Sequence, residues 1–489
     1  MIDIAIVSLP RLDLTRPAIA PAILASLANK VGQSNRIFDF ALETFERSSK
    51  DEWNEFELFW QIDLNYKLQE KYKKKLDVLF DQFVSEVIDQ NPNMITISVF
   101  SHNSINATEM FLEKLRIKTQ AKIIIGGQGI QSKYSDKTFG EDMLSRNLVD
   151  YFLAGEAETT FAKIIEGHTE GPGINNFGWK QLDNLDLTPL PDYTDYDLDK
   201  YHHLESGKSV WVNASRGCVR RCDFCDIGKL WKKFRFRSGQ SLYEEMKHHM
   251  VEYKVKTFQF ADALINGSMK AFNDMNKELL SGINKKEIQR PLYGGHFIVR
   301  PPNQMTEEHY RDAAEAGMDY ISIGVETGSD ALRFRMNKKF TNDDLAHHLE
   351  MCYRYNVKNL VMMFSGHPTE SLADHEKTLE MFRRFKKYAV YGTISGLEVG
   401  SAAIIHNTPL AHWATENELH YDPNSVKGDN RLWFNPNNPT LTVRERVRRQ
   451  LELYETAISE GWPINHVTNN LKYMKALLQR AKERNTNYF

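Results

Sequence analysis

From the N-terminus to about residue 165, short apolar runs alternate with stretches of helical period. Ile2 to Leu9 is an apolar run. Pro21 to Val31 (PAILASLANKV) carries its apolar residues at helical spacing, and Arg36 to Phe40 reads as a second short strand. A polar, aromatic-rich helical insertion fills about 50 to 91. Met94 to Phe100 (MITISVF) predicts a third strand and Ala107 to Arg116 a helix. Lys122 to Ile125 predicts a fourth strand, closed by Gly126-Gly127. Val149 to Leu153 predicts a fifth, followed by Gly155-Glu156-Ala157-Glu158 and another helix. This alternation predicts an α/β domain over 1–165, a Rossmann-like doubly wound parallel sheet. Residues 166–207 hold Gly167, Gly171, Pro172, Gly173, Pro189 and Pro191 and predict a linker.

A second series of strand–helix units begins at Lys208. Its strands are Ser209–Ala214, Thr257–Ala261, Tyr293–Val299, Tyr320–Val325, Asn359–Phe364 and Gly396–Ala402, with starts 27 to 48 residues apart, the pitch of βα units. Six units over 208–402 are two short of a closed barrel. Residues 403–489 complete the chain as a C-terminal region, helical and charged from 441 onward.

A length of 489 residues predicts about two to four domains. The formal net charge of -3 gives no bulk electrostatic reason for a nucleic-acid or membrane partner. No apolar run approaches the about 18 residues of a membrane span. Met1-Ile2-Asp3-Ile4 reads as the start of a strand and lacks the basic start of a signal peptide. Four cysteines are too few for a disulfide scaffold and suit a reducing, cytoplasmic compartment.

Three of those four cysteines fall within eight residues, in Ser215-Arg216-Gly217-Cys218-Val219-Arg220-Arg221-Cys222-Asp223-Phe224-Cys225. A zinc knuckle is the plainer alternative, but zinc usually takes four protein ligands in paired units. No second pair exists, and His248-His249 has the wrong spacing, in a helical stretch. Cys352, in the helical pattern LAHHLEMCYRY, reads as a buried apolar residue.

The C-x3-C-x2-C spacing, with aromatic Phe224 before the last cysteine, resembles the signature of the radical S-adenosylmethionine (SAM) superfamily. The resemblance implies a [4Fe–4S] cluster held by Cys218, Cys222 and Cys225. The open fourth iron would take the amino and carboxylate groups of SAM. It also implies a partial (βα)6 barrel with its site at the C-terminal strand ends. Later segments continue the likeness. Phe260-Ala261-Asp262 ends the second strand and Arg300 the third. Gly324-Val325-Glu326-Thr327-Gly328-Ser329 resembles the family's G-V-E-[ST]-G segment, and Gly366-His367-Pro368-Thr369-Glu370 its G-x-P-x-E turn.

Period-two alternation puts Tyr320, Ser322, Gly324 and Glu326 on one face, and His296, Ile298 and Arg300 on one face. Pointing inward, Arg300 and Glu326 would grip SAM; the alternative for Glu326 is a salt bridge at a strand end. His296 reads first as a wall residue. Asp262 is either a ligand contact or a structural cap. The basic stretch from Arg216 to Arg237 reads as a solvated or cluster-facing loop rather than a phosphate site. The implied chemistry uses an external electron, from a donor such as flavodoxin or ferredoxin, to cleave SAM to methionine and a 5′-deoxyadenosyl radical, with the protein orienting the reactants.

The first domain resembles the cobalamin-binding subclass of the superfamily. Ser98-Val99-Phe100 resembles a Ser-x-Leu element beside the nucleotide tail, and Gly126-Gly127, followed by Gln128, resembles the paired glycines that admit it. Val149 through Glu158 resembles V-D-Y-x-x-x-G-E-x-E, which includes Glu156, and Pro191-Asp192-Tyr193 resembles the subclass linker. The D-x-H-x-x-G motif is absent. The loop after the first strand, Pro10 to Pro17, has no histidine, which predicts cobalt without a histidine ligand, its lower face empty, water-bound or approached by a side chain such as Arg11 or Leu12. Phe100 in place of leucine leaves open a domain that no longer binds cobalamin. No G-x-G-x-x-G follows a strand, against a dinucleotide site.

The implied function is a cobalamin-dependent radical SAM enzyme that methylates an unactivated carbon of a small-molecule or peptide substrate through methylcobalamin. The alternative is a radical SAM cyclase or rearrangement enzyme with an empty or non-methylating first domain. A metal-binding nucleic-acid module is remote, and a methylthiotransferase would need a second cysteine set that this chain lacks.

Overall fold

The computed structural model describes residues 2–10, 13–61, 66–134, 136–202, 207–421, 429–465 and 467–483, the side chains of 429 and 467–470 apart. It divides into two units, one built on 1–211 with 253–255, the other on 212–252, 256–421 and 429 onward.

The first unit runs β1 (Ile4–Ser8), α1 (Ile19–Lys30), β2 (Asn35–Asp39), α2 (Phe40–Glu46), α3 (Lys50–Trp60), α4 (Glu70–Ile88), β3 (Met94–Ser98), α5 (Ile105–Arg116), β4 (Lys122–Gly126), α6 (Phe139–Ser145), β5 (Tyr151–Leu153) and α7 (Ala157–Ile165). The sheet order is β2-β1-β3-β4-β5, every pair parallel. Helices cover both faces, so the strands read as continuous apolar runs; Ile95, Ile97 and Ile123 to Ile125 are wholly buried. The aromatic insertion forms α3 and α4. It buries Trp60, Phe80 and Phe83, and Phe83 stacks on Phe40 with ring centroids 4.1 Å apart. The chain steps outward from β1 to β2 and then back across to β3. Open α/β sheets bind ligands beyond the strand ends where the order reverses. Here Ser8 lies opposite Ser98, and Ser98 opposite Gly126.

The glycine- and proline-rich segment after residue 166 is bonded along the sheet rather than left free. The Ala154 N–H donates to the Gly173 carbonyl (2.8 Å) and Asn175 N–H to the Phe152 carbonyl (2.9 Å). At the other edge, Asp195 accepts from the Ile37 N–H at 2.8 Å. Edge strands present unpaired backbone groups, and this strap satisfies some of them on both edges.

The boundary falls inside β6 (Ser209–Val212), which is followed by a two-stranded ribbon of Ser215–Arg216 and Arg235–Phe236. Then come α8 (Gly239–Glu252), β7 (Thr257–Phe260), α9 (Met269–Asn284), β8 (Leu292–Phe297), α10 (Glu307–Ala316), β9 (Met318–Glu326), α11 (Asp330–Arg335), α12 (Asn342–Arg354), β10 (Lys358–Ser365), α13 (Leu372–Val390) and β11 (Ile394–Ser401). The six strands lie side by side in chain order, a six-unit parallel sheet with β6 and β11 at its ends. Beyond it, α14 (Pro409–Glu416), α15 (Val443–Ser459) and α16 (Val467–Glu483) make up the helical C-terminal region. Tyr454 on α15 donates to the Val399 carbonyl (2.9 Å), and Asn465 N–H to the Leu397 carbonyl (3.1 Å), so this region covers the β11 edge.

Candidate functional site

The cysteine loop leaves the C-terminal end of β6 through a neck of backbone bonds. Asp262, beyond β7, accepts from the Ala214 N–H at 3.0 Å. Arg237 N–H donates to the Ala214 carbonyl at 2.8 Å, while the Arg237 side chain is buried in an ion pair with Glu245. Asp262 is therefore a cap on the neck, held out of the cysteine cavity, and burial pushes its carboxyl up to about 7. Gly217 sits at φ +95°, where a Cβ would press on the Lys233 carbonyl at 3.0 Å.

Cys218, Cys222 and Cys225 then line one cavity of about 170 Å³ at the strand ends, with Phe224, His296, Ser322, Gly324, Glu326, Lys338, Phe340 and Met362 among its walls. All three thiols are free and partly exposed. Burial pushes each upward, Cys222 to about 11, so thiolates there need a positive partner such as bound iron. Among the described residues, no three His, Cys, Asp or Glu side chains gather tightly enough to hold one metal ion. Three thiols around the rim of a shared cavity suit a cube in which each binds a different iron.

The loop is pinned from outside. Asp223 N–H donates to the Met336 carbonyl (3.1 Å), Asn337 Nδ2 donates to the Arg221 carbonyl (2.7 Å), and Asp223 Oδ2 meets His367 Nε2 at 3.2 Å. Thus the Gly366–Glu370 turn acts on the cysteine loop through His367. Its Glu370 is turned away, accepting from the Gly366 N–H (2.8 Å) and facing Arg449 on α15 (3.4 Å).

Glu326 ends β9 in a local irregularity. Register shifts between Gly324 and Glu326, and Glu326 takes φ +65°, costly for a residue with a Cβ. The distortion turns its carboxylate into the cavity, where it pairs with Lys338. A Cβ on Gly324 would lie 2.4 Å from Glu326 Oε1 and 2.6 Å from Lys338 Nζ, so glycine makes room for the pair. Burial lowers the Lys338 ammonium, but Glu326 and Cys222 outweigh it and hold the group above its usual range.

Lys338 was not legible in Arg335-Met336-Asn337-Lys338-Lys339: nothing distinguishes it from its exposed neighbour Lys339. Arg300 corrects the expected clamp. It lies past the end of β8, where alternation no longer sets direction, and its guanidinium is spent on the carbonyls of Asn266 (2.8 Å) and Gly267 (2.7 Å) and on Gln304 (3.0 Å). His296 does open into the cavity, and burial together with Lys338 lowers its pKa. The basic stretch is only partly solvated, since Arg235 and Arg237 are buried. Cys352 is wholly buried, with its thiol pushed up to about 12.

In the first unit, Phe100 is 59% exposed and lines a cavity of about 510 Å³ beyond β1 and β3, together with Asp13, Phe45, Trp53, Ser101 and His202. Ser98 is buried at the strand end, and Gln128 is exposed beyond β4. Gly126 has open space: an added Cβ would meet only Leu153, at 3.4 Å. Gly127 is explained internally, by φ +105° and an added Cβ 2.6 Å from the Val99 carbonyl oxygen. Glu156 is a correction. It is buried and accepts from the Leu182 N–H of the strap, beside Gly155, whose added Cβ would strike Trp179 at 2.5 Å. The Val149–Glu158 motif therefore seats the strap. Arg11 and Leu12 lie outside the described residues. An exposed apolar side chain, an aromatic-lined cavity and an open glycine at one sheet edge fit a large cofactor such as cobalamin.

Residues 212–382 match the radical SAM superfamily. An uncharacterized methyltransferase of Pyrococcus horikoshii, PH0819, is 20% identical over 68% of this chain and 74% of its own length. Three further curated relatives are matched over 49 to 61% of their own length. The cobalamin-dependent SAM radical enzyme OxsB, solved with aqua-cobalamin and SAM bound, superposes with a TM-score of 0.63 at 17% identity, over 94% of this chain and 72% of OxsB. The radical SAM methyltransferase TsrM from Kitasatospora setae, solved with cobalamin and a [4Fe–4S] cluster, gives 0.61 at 12% identity over 98% and 99%. These likenesses show a shared fold. No described helix is long and apolar enough to cross a membrane.

Proposed function

We propose that this chain, whose residues 212–382 are a radical SAM domain, is a cobalamin-dependent radical SAM enzyme that methylates an unactivated carbon of a small-molecule or peptide substrate. The observation that carries the reading is the ring of Cys218, Cys222 and Cys225 around one cavity with the Glu326–Lys338 pair. Those thiolates would hold a [4Fe–4S] cluster. Glu326 and Lys338 carry the two charges that complement the ammonium and carboxylate of SAM. Phe224, Phe340 and Met362 give that pocket apolar walls. Asp262, Arg237 and His367 position the loop without touching a ligand. In the first unit Ser98, Phe100, Gly126 and Gln128 would face cobalamin. When bound, these cofactors supply a 5′-deoxyadenosyl radical and a transferable methyl group. An oxygen-sensitive cluster would suit the cytoplasm and would take its electron from a reduced protein donor.

One observation favours a second reading. Gly127 and Glu156, two features of the cobalamin resemblance, are explained by packing alone. That suits a cyclase or rearrangement enzyme whose first unit is empty. Anaerobic reconstitution with iron, sulfide and cobalamin, followed by incubation with methyl-labelled SAM and a metabolite panel, tests both. Labelled product with bound cobalamin supports the first reading. 5′-Deoxyadenosine formed without bound cobalamin or labelled product supports the second. No 5′-deoxyadenosine in either case refutes both.

A further inference from the structure

The cysteine loop has a second face, directed to solvent rather than into the cavity. Between Arg216 and Arg237 the sequence holds eight cations and two acids. One of the acids, Asp223, is engaged by His367 at 3.2 Å. The exposed cations come from two limbs that pack on each other. Gly217 on the first limb abuts the Lys233 carbonyl and Trp231 on the second, and an added Cβ on Gly228 would lie 2.9 Å from an Arg221 guanidinium nitrogen. Arg221, Lys229, Lys232 and Lys233 are exposed there. The same segment carries two large apolar side chains open to water, Val219 at 43% and Phe236 at 46% exposed.

We infer that this face, Val219 and Phe236 within a rim of Arg221, Lys229, Lys232 and Lys233, docks an acidic one-electron-transfer protein. The proposal rests on the cluster assignment made above and adds where its electron enters. Charge complementarity selects the occupant: a protein redox donor with a negative rim around its cofactor would be steered here, and the apolar centre gives it a dry contact. Val219 lies between two of the three thiol-bearing residues, so a docked donor sits against the loop that would carry the cluster. In the exchange the donor loses one electron and the cluster gains one. No bond forms or breaks.

The test is stopped-flow reduction of the iron-loaded full chain, followed by bleaching of its visible absorbance, with a fully reduced acidic flavodoxin as the probe and dithionite as the small-molecule control. Wild type and Arg221→Glu/Lys232→Glu are compared at equal iron content. The double reversal should slow reduction by flavodoxin about tenfold or more, and rising salt should slow the wild type, as for electrostatically steered association. Dithionite should bleach both proteins equally. Equal rates with flavodoxin, an equal loss with dithionite, or oligonucleotide binding by this face that the reversal abolishes would each overturn the proposal. Absence of any bleachable cluster in the wild type would instead be a failure of the cluster assignment, and the iron count detects it first.

Discussion

Removing the charge of Lys338 should strand Glu326, and the loss should appear in two separate measurements. The two side chains are only 13% and 11% exposed. Breaking a fully buried pair by deleting one partner costs about 3–5 kcal/mol. This pair faces a cavity that water can enter, so Lys338→Met should cost about 2–3 kcal/mol of stability, and Glu326→Gln about as much. The double variant leaves no charge stranded, so it should be more stable than the sum of the singles by about 1–3 kcal/mol. A two-unit chain need not unfold in one step. Hydrogen exchange over 318–340 in denaturant therefore gives the local free energy. SAM affinity of the iron-loaded protein, by calorimetry, should fall in each single variant by about 1.5–3 kcal/mol, one charge-assisted hydrogen bond. Additive stability losses would show that the two charges do not act as a pair. Unchanged SAM affinity in both singles would make the pair a structural pin and refute its proposed role.

Cys218→Ala, Cys222→Ala or Cys225→Ala should each prevent stable loading of about four irons per chain, whereas Cys352→Ala should load normally; iron and sulfide analysis decides it. Burial holds His348 at about 4, below its usual 6.5, between Tyr310 and Asn359. The unfolded chain therefore takes up this proton first, and stability present above about pH 6.5 should fall by about 3 kcal/mol toward pH 4. Denaturation of His348→Gln across this pH range should lack that fall of about 3 kcal/mol, and an unchanged fall would refute the assignment. Gly127→Ala should destabilise the first unit by about 1–3 kcal/mol through its positive φ and its clash with Val99. Gly126→Val should keep the fold and weaken cobalamin binding about tenfold, a loss of about 1.4 kcal/mol in equilibrium dialysis.

The architecture was legible because it is periodic. Each expected strand of both sheets is present, and boundary differences are a residue or two, as where Met94–Phe100 shortens to β3 at Ser98. The cysteine triad was legible because three thiols in eight residues have few other uses. Spacing does not encode which charged groups meet across the chain. Lys338 reaches Glu326 only because β9 distorts after Gly324, which no periodicity reports. Arg300 turns onto loop carbonyls because its strand ends three residues earlier, at Phe297. Glu156 looked like a ligand contact until a strap some 26 residues away supplied the Leu182 N–H that it accepts from. The sequence by itself determined the order of elements and the kind of chemistry, since these depend on local patterning and residue type. Only the tertiary structure decided the direction of each polar side chain, because a buried charge goes to whatever partner the packed chain brings within reach.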